Sequence, residues 1–238
     1  MGVLLLIALL PILAAQPDRF GQPACEAPHM ELARRTGFVL CHDSSRKVAL
    51  WTLYELTPQQ LEADVLPRAS HFRPDNALTL PGATDADYRH SGFHRGHLVP
   101  ARDLANSRET FLLSNAAPQN PSLNMGRWRE LEAKVRSLAA NSEAVYIVTG
   151  TLTATEADVI GPGRVAIPTH FFKAILAVRG SSKRMFAVLM PNTFNRGLPL
   201  DHFAVSVDEI ELSTGLDLFS SLDDEEESQL ECTANTLS

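Results

Sequence analysis

The chain has no P-loop, no paired CxxC and no internal repeat. Those absences exclude Walker-type nucleotide hydrolysis, zinc-ribbon scaffolds and solenoid architectures. Cysteine is scarce, with three in 238 residues. So few cannot staple a coreless scaffold, and the fold must rest on a hydrophobic core that this length is ample to build. Long apolar runs are also missing beyond Met1–Ala15; a bilayer span takes about 20 such residues. Net positive charge is absent as well, the formal sum being −7. That excludes attraction to polyanions by global charge, but not by a local patch.

What is present begins with residues 1–15, an uncharged stretch that reads as the apolar core of a secretory signal with small residues near Ala15. Its basic n-region is missing, so an uncleaved anchor is the alternative. The expected location is therefore secreted or periplasmic, with no stable membrane association after cleavage. An exported chain can form disulfides, and a Cys25–Cys41 bridge would contribute about 3 kcal/mol in the chain-entropy model. Cys232 is the odd one. The acidic bias is local: Asp223, Asp224, Glu225, Glu226, Glu227 and Glu231 crowd residues 223–238, leaving a net of −1 on residues 16–222. Residues 16–222 read as one domain and residues 223–238 as a solvated, disordered tail.

Within the domain, Thr36–Cys41 and Val48–Glu55 are apolar runs split by six polar residues, a β-hairpin signal. Ala144–Thr149, Thr169–Val178 and Met185–Met190 are also strand-like. Trp128, Leu131, Val135 and Leu138 recur at helical spacing, with Ser122 as the expected N-cap. Asn124 would then lie in a first helical turn, where free amides favour an anion. The fold class is α+β, a largely antiparallel central sheet with flanking helices.

Chemistry concentrates between His94 and Glu132. His97 follows Gly96 in the turn-like run His94-Arg95-Gly96-His97; Asn115, Asn124 and Glu132 come after it. Imidazole, with an ordinary pKa near ~6.5, can take a proton from water at neutral pH. An Asn carbonyl is a hard oxygen ligand, and Mg²⁺ keeps several waters, so one or two protein groups can hold it. A base on water and a cation on phosphate oxygens form a minimal phosphodiester hydrolase. Arg89, Arg95, Arg102, Arg108, Arg127 and Arg129 surround this stretch as a local positive patch.

Three blocks carry a resemblance: His94-Arg95-Gly96-His97, then Ser114-Asn115-x-x-Pro118-Gln119, then Leu123-Asn124-x-x-x-Trp128-x-x-Leu131-Glu132. Asn124 lies nine positions after Asn115, and Glu132 eight positions after Asn124. The chain resembles, from about Cys25 to Leu222, the DNA/RNA non-specific endonucleases with a ββα-metal core. The resemblance implies a ββα finger at the site and Mg²⁺-dependent cleavage of DNA and RNA with little sequence specificity, Mn²⁺ being a substitute ion. It implies His97 as general base, Asn124 as metal ligand, and Asn115 and Glu132 as holders of phosphate or metal waters. Arg68, placed by alignment on Phe72 and Asp75, would hold the scissile phosphate, with Arg73 the alternative. Arg95 would bind phosphate or hold its turn. The products would carry 5′-phosphate and 3′-hydroxyl ends, and a homodimer stays open.

One position departs from the pattern. His94 stands where the family signature has Asp. A neutral imidazole retains one acceptor nitrogen, and an imidazolium has none. This departure and the acidic charge motivate a rival reading, a catalytically weakened fold that binds nucleic acid or a partner. A second rival is a zinc phosphoesterase using His90, His94 and His97, although Gly92 and Gly96 argue against the helix it would need.

Overall fold

The protein is described here by a computed structural model, which defines residues 16–63, 69, 71–194 and 197–237. Chain order begins with β1 (Met30–Arg35), β2 (Phe38–Asp43), β3 (Val48–Leu56), α1 (Pro58–Glu62) and α2 (Asp85–Tyr88). It continues through β4 (His94–His97), β5 (Ala116–Gln119), α3 (Pro121–Met125), α4 (Arg127–Ala140) and β6 (Ala144–Leu152). Then come β7 (Val159–Ile160), β8 (Val165–Ala166), β9 (His170–Arg179), β10 (Ser182–Pro191) and β11 (Ala204–Val205), and last α5 (Val207–Thr214) and α6 (Asp224–Glu231).

Seven strands form one antiparallel sheet in the order β1-β2-β3-β6-β9-β10-β11. The apolar runs became its central strands because both faces are covered. In β9, Phe171, Ile175 and Ala177 join the core under α4, while Phe172, Ala174, Leu176 and Val178 join the core on the opposite face. That two-period alternation also carries Lys173 inward, fully buried, on the α4 side. Trp128, Leu131, Val135 and Ala139 are the buried stripe of α4. Cys25 and Cys41 are bridged, which pins the N-terminal segment to β2.

Two expectations are corrected. The helix read from Ser122 is two helices: Asn120 caps α3 through its side chain, Pro121 opens it, and Gly126 separates it from α4. Gly126 has ψ −110°, and a Cβ there would lie 2.5 Å from the Ser122 carbonyl oxygen. Asn124 therefore sits in the last turn of α3, with its amide already donating to Asn120. The acidic tail is not disordered across its described residues. Asp223 caps α6, four acids occupy the positive end of that helix, and Lys183 pairs with Glu226. Leu230 packs on the core, and Asn235 donates to the Met185 carbonyl. The charge run concealed these anchors. Among the described residues, no helix is long and apolar enough to cross a membrane.

Candidate active site

The site is a finger made of β4, β5 and α3 against the start of α4. In the β4–β5 ladder Gly96 faces Ala117 and His97 faces Ala116. Gly96 is required by close approach, because a Cβ there would meet the Gln119 side chain at 2.3–2.8 Å. Beyond β4 the chain is held by Asn115, which is fully buried. Its Oδ1 accepts from the Val99 amide, its Nδ2 donates to the Val99 and Thr110 carbonyls, and its own carbonyl accepts from the Leu98 amide. The expected role of Asn115 at phosphate or metal water is thus replaced by a backbone bracket: every polar atom of its side chain is committed inside the core.

His97 lines a cleft of about 500 Å³ together with Asn124, Glu132, Arg102, Arg129 and Arg136. Its ring lies 4.7 Å from Phe72 and 4.8 Å from Phe111, centroid to centroid. Sequence reading missed these two rings. They come together because the backbone at Arg73 bridges that at Leu112, with Arg73 donating to Phe111 and Leu113 donating to Arg73. Asp75 anchors the same segment by accepting from Ser114 and pairing with Arg35.

Asn124 Nδ2 lies 3.0 Å from His94 Nδ1. In this arrangement the amide nitrogen donates and His94 Nδ1 accepts. Committing the amide nitrogen to His94 leaves the Asn124 carbonyl oxygen as the donor it can offer a hard cation. The residues present therefore fit a Mg²⁺-type ion: a neutral oxygen from Asn124, a carboxylate from Glu132, and room for water. His90, His94 and His97 do not bring three ligand atoms together among the described residues, which removes the ground for zinc.

Arg95 does not line the cleft. It pairs with Asp85 and stacks 5.0 Å over Tyr88, and so holds its own turn. Arg73 donates to the Arg108 carbonyl on the outside. Arg68 lies outside the described residues. Of the expected positive patch, Arg102 and Arg129 reach the cleft, while Arg127 pairs with Glu130 and Arg89 with Asp85.

Beneath the cleft lies a buried charge network that the sequence did not disclose. Asp103 accepts from Arg136 at 3.0 Å and from the Tyr54 hydroxyl at 2.9 Å. Burial pushes the Asp103 carboxyl up, against the pull of Arg136 and Lys173. Lys173 donates to Thr149 and sits over the rings of Tyr54 and Trp128. Burial lowers it to about 8, and the Glu132 and Asp103 carboxylates oppose that fall. Glu132 thus has a cation behind it and the cleft in front.

Comparisons with known proteins identify the family and the fold. The chain is 38% identical to the mitochondrial endonuclease G of Bos taurus over 90% of its own length and 82% of that protein. It is 34% identical to nuclease C1 of Cunninghamella echinulata var. echinulata, covering 86% and 88% of the two chains. Among solved structures it is similar to a chain of an EndoG/EndoGI complex, with a TM-score of 0.79, 30% identity, and coverage of 87% and 91%. The pattern that defines DNA/RNA non-specific endonucleases matches residues 16–225, and this chain belongs to that family.

Proposed function

We propose that the protein hydrolyses phosphodiester bonds of both DNA and RNA with little sequence preference, using His97 as general base and one Mg²⁺ on Asn124. The observation that carries this reading is that His97 and Asn124, 27 positions apart, line one cleft with Glu132 and three arginines. Phe72 and Phe111 hold the His97 ring in place, so the imidazole meets an incoming water in a fixed orientation. His97 takes the water proton as the water oxygen bonds to phosphorus and the bond from phosphorus to the 3′ oxygen breaks. Proton uptake by that oxygen leaves a 3′-hydroxyl and a 5′-phosphate. Mg²⁺, when bound, would neutralise charge on the phosphate and the leaving oxygen. Glu132 accepts hydrogen bonds from water in the cleft, with the Lys173 cation behind it. Arg102 and Arg129 supply positive potential for the phosphate backbone. Asn115 and Arg95 support the finger without touching substrate. The uncharged start of the chain and the Cys25–Cys41 bridge support export to an oxidising compartment.

The test is degradation of plasmid DNA and of a structured RNA, with and without EDTA, followed by Mg²⁺ or Mn²⁺ readdition. Loss in EDTA and recovery with either ion is expected on both substrates. Binding without cleavage under all conditions would identify a nuclease fold that has lost its chemistry.

A further inference from the structure

On the sheet face opposite the cleft, α5 and α6 bring acids together. Asp208, Glu211 and Glu231 each place a carboxylate oxygen within 4.8 Å of those of the other two. Asp208 and Glu211 are neighbours on one helical face, and Glu227 precedes Glu231 by one turn of α6. Glu231 is only 5% exposed, and its Oε1 is buried without a hydrogen-bond partner; the Glu227 Oε1 is in the same condition. A buried carboxylate oxygen without a partner is costly, and proteins normally pair it or give it a metal. Glu231 also closes α6 at the negative end of the helix, and no basic residue occupies that last turn.

The charges that act most strongly on Glu231 are Glu211, Glu227, Asp208 and Asp217, all acids. Burial, helped by those acids, raises Glu231 to about 8; burial likewise raises Glu211 to about 7, although the Leu218 amide donates to it. Nothing obliges the chain to tolerate this by default. The C-terminal segment that carries Glu231 is fastened by Leu230, by Lys183–Glu226 and by Asn235.

We propose that Asp208, Glu211 and Glu231 bind a hard divalent cation, Ca²⁺, that fastens the C-terminal helix α6 to α5. The donors are all oxygens and three carboxylates, with neither His nor Cys, which argues against zinc. Ca²⁺ accepts six to eight oxygens at flexible angles, including bidentate carboxylates, whereas Mg²⁺ demands an octahedron and gives up water reluctantly. The site is structural and independent of the nuclease reading, since it lies on the other core.

The experiment uses the full chain stripped of metal, with thermal melting and calorimetric titration of CaCl₂ or MgCl₂. Wild type, Asn124→Ala, Glu231→Gln and Asp208→Asn are compared. Ca²⁺ at about a hundredfold excess over Kd should raise Tm by about 5–10 °C in wild type and equally in Asn124→Ala. Mg²⁺ should do much less. Glu231→Gln is isosteric and relieves the repulsion, so without Ca²⁺ it should melt above wild type, and it should lose the Ca²⁺ response. Should Glu231→Gln fail to fold, the exposed Asp208→Asn carries the test, with Ca²⁺ binding weakened about tenfold or more. The proposal is overturned if Asn124→Ala shows no Ca²⁺ binding or Tm rise, if Mg²⁺ acts as strongly, or if the substituted acids leave the Ca²⁺ response unchanged.

Discussion

The two faces of the sheet treat buried charge in opposite ways. Under the cleft, Asp103 meets Arg136 and Tyr54, and Lys173 meets Thr149, two aromatic rings and the field of Glu132. Under α6, the charges that act most strongly on Glu231 are all acids. Both regions are buried, and both contain groups whose titration burial has shifted. The difference is that one network closes on itself, whereas the other lacks a positive member. A closed network rigidifies the residues above it, here the wall that presents Glu132. An open one marks a place for a ligand or a proton.

The largest effect is expected above the closed network, in the cleft. His97→Ala should lower the single-turnover cleavage rate by about 10²–10⁴ while leaving Tm and DNA affinity near wild type, because the base acts in the chemical step. Next, Asp103→Ala removes the acceptor of a buried Arg136 and of the Tyr54 hydroxyl, and should cost about 3–5 kcal/mol in urea unfolding. A loss under 1 kcal/mol, on the order of a surface change, would mean the network is not closed through Asp103. Reduction of Cys25–Cys41 should cost about 3 kcal/mol, read as a lower Tm in reductant and the absence of free thiols at those positions beforehand.

A smaller effect is expected at His94, whose ring nitrogen accepts from Asn124. His94→Asp keeps an acceptor and should preserve the Mg²⁺ concentration for half-maximal cleavage. His94→Leu removes it and should raise that concentration about fivefold to tenfold, as for loss of one hydrogen bond of about 1 kcal/mol. Equal behaviour of the two variants would remove His94 from the site. The smallest effect lies on the open face without Ca²⁺. Glu211 and Glu231 titrate above ordinary carboxylates when folded, so the folded state binds more protons and stability falls as pH rises from about 5 to about 8. His42, buried and lowered by desolvation, acts with the opposite sign. The clean observable is therefore the Tm of Glu231→Gln minus that of wild type, which should grow across that window.

Legibility from sequence followed the range of the interactions. The β2–β3 hairpin, β6, β9, β10 and the buried stripe of α4 could be read because their signals are local runs and periods. Gly126 was visible as a letter, but its break depends on the carbonyl of Ser122 behind it. The Asn115 bracket depends on Val99 and Thr110, and the aromatic seat of His97 on a backbone bridge from Arg73 to Leu112. A motif gives residue types and spacing; it does not say which polar atoms face water. That is why the Asn115 side chain, expected at phosphate or metal water, is enclosed by backbone partners, and why Arg95, expected either at phosphate or in its turn, pairs with Asp85. The same limit hid α6, whose acids were counted as one charge run although Glu226 has a lysine and Glu231 is buried.

In the proposed mechanism, the imidazole of His97 accepts a proton in a cleft shared with Asn124. The direct measurement is single-turnover cleavage of a defined DNA by His97→Ala with increasing free imidazole, at fixed Mg²⁺ and pH. The space vacated between Phe72 and Phe111 should admit imidazole, and the rate should rise with its concentration to saturation and vanish with EDTA. A flat response, from protein that melts and binds DNA as wild type does, would contradict the account and move the base to another residue.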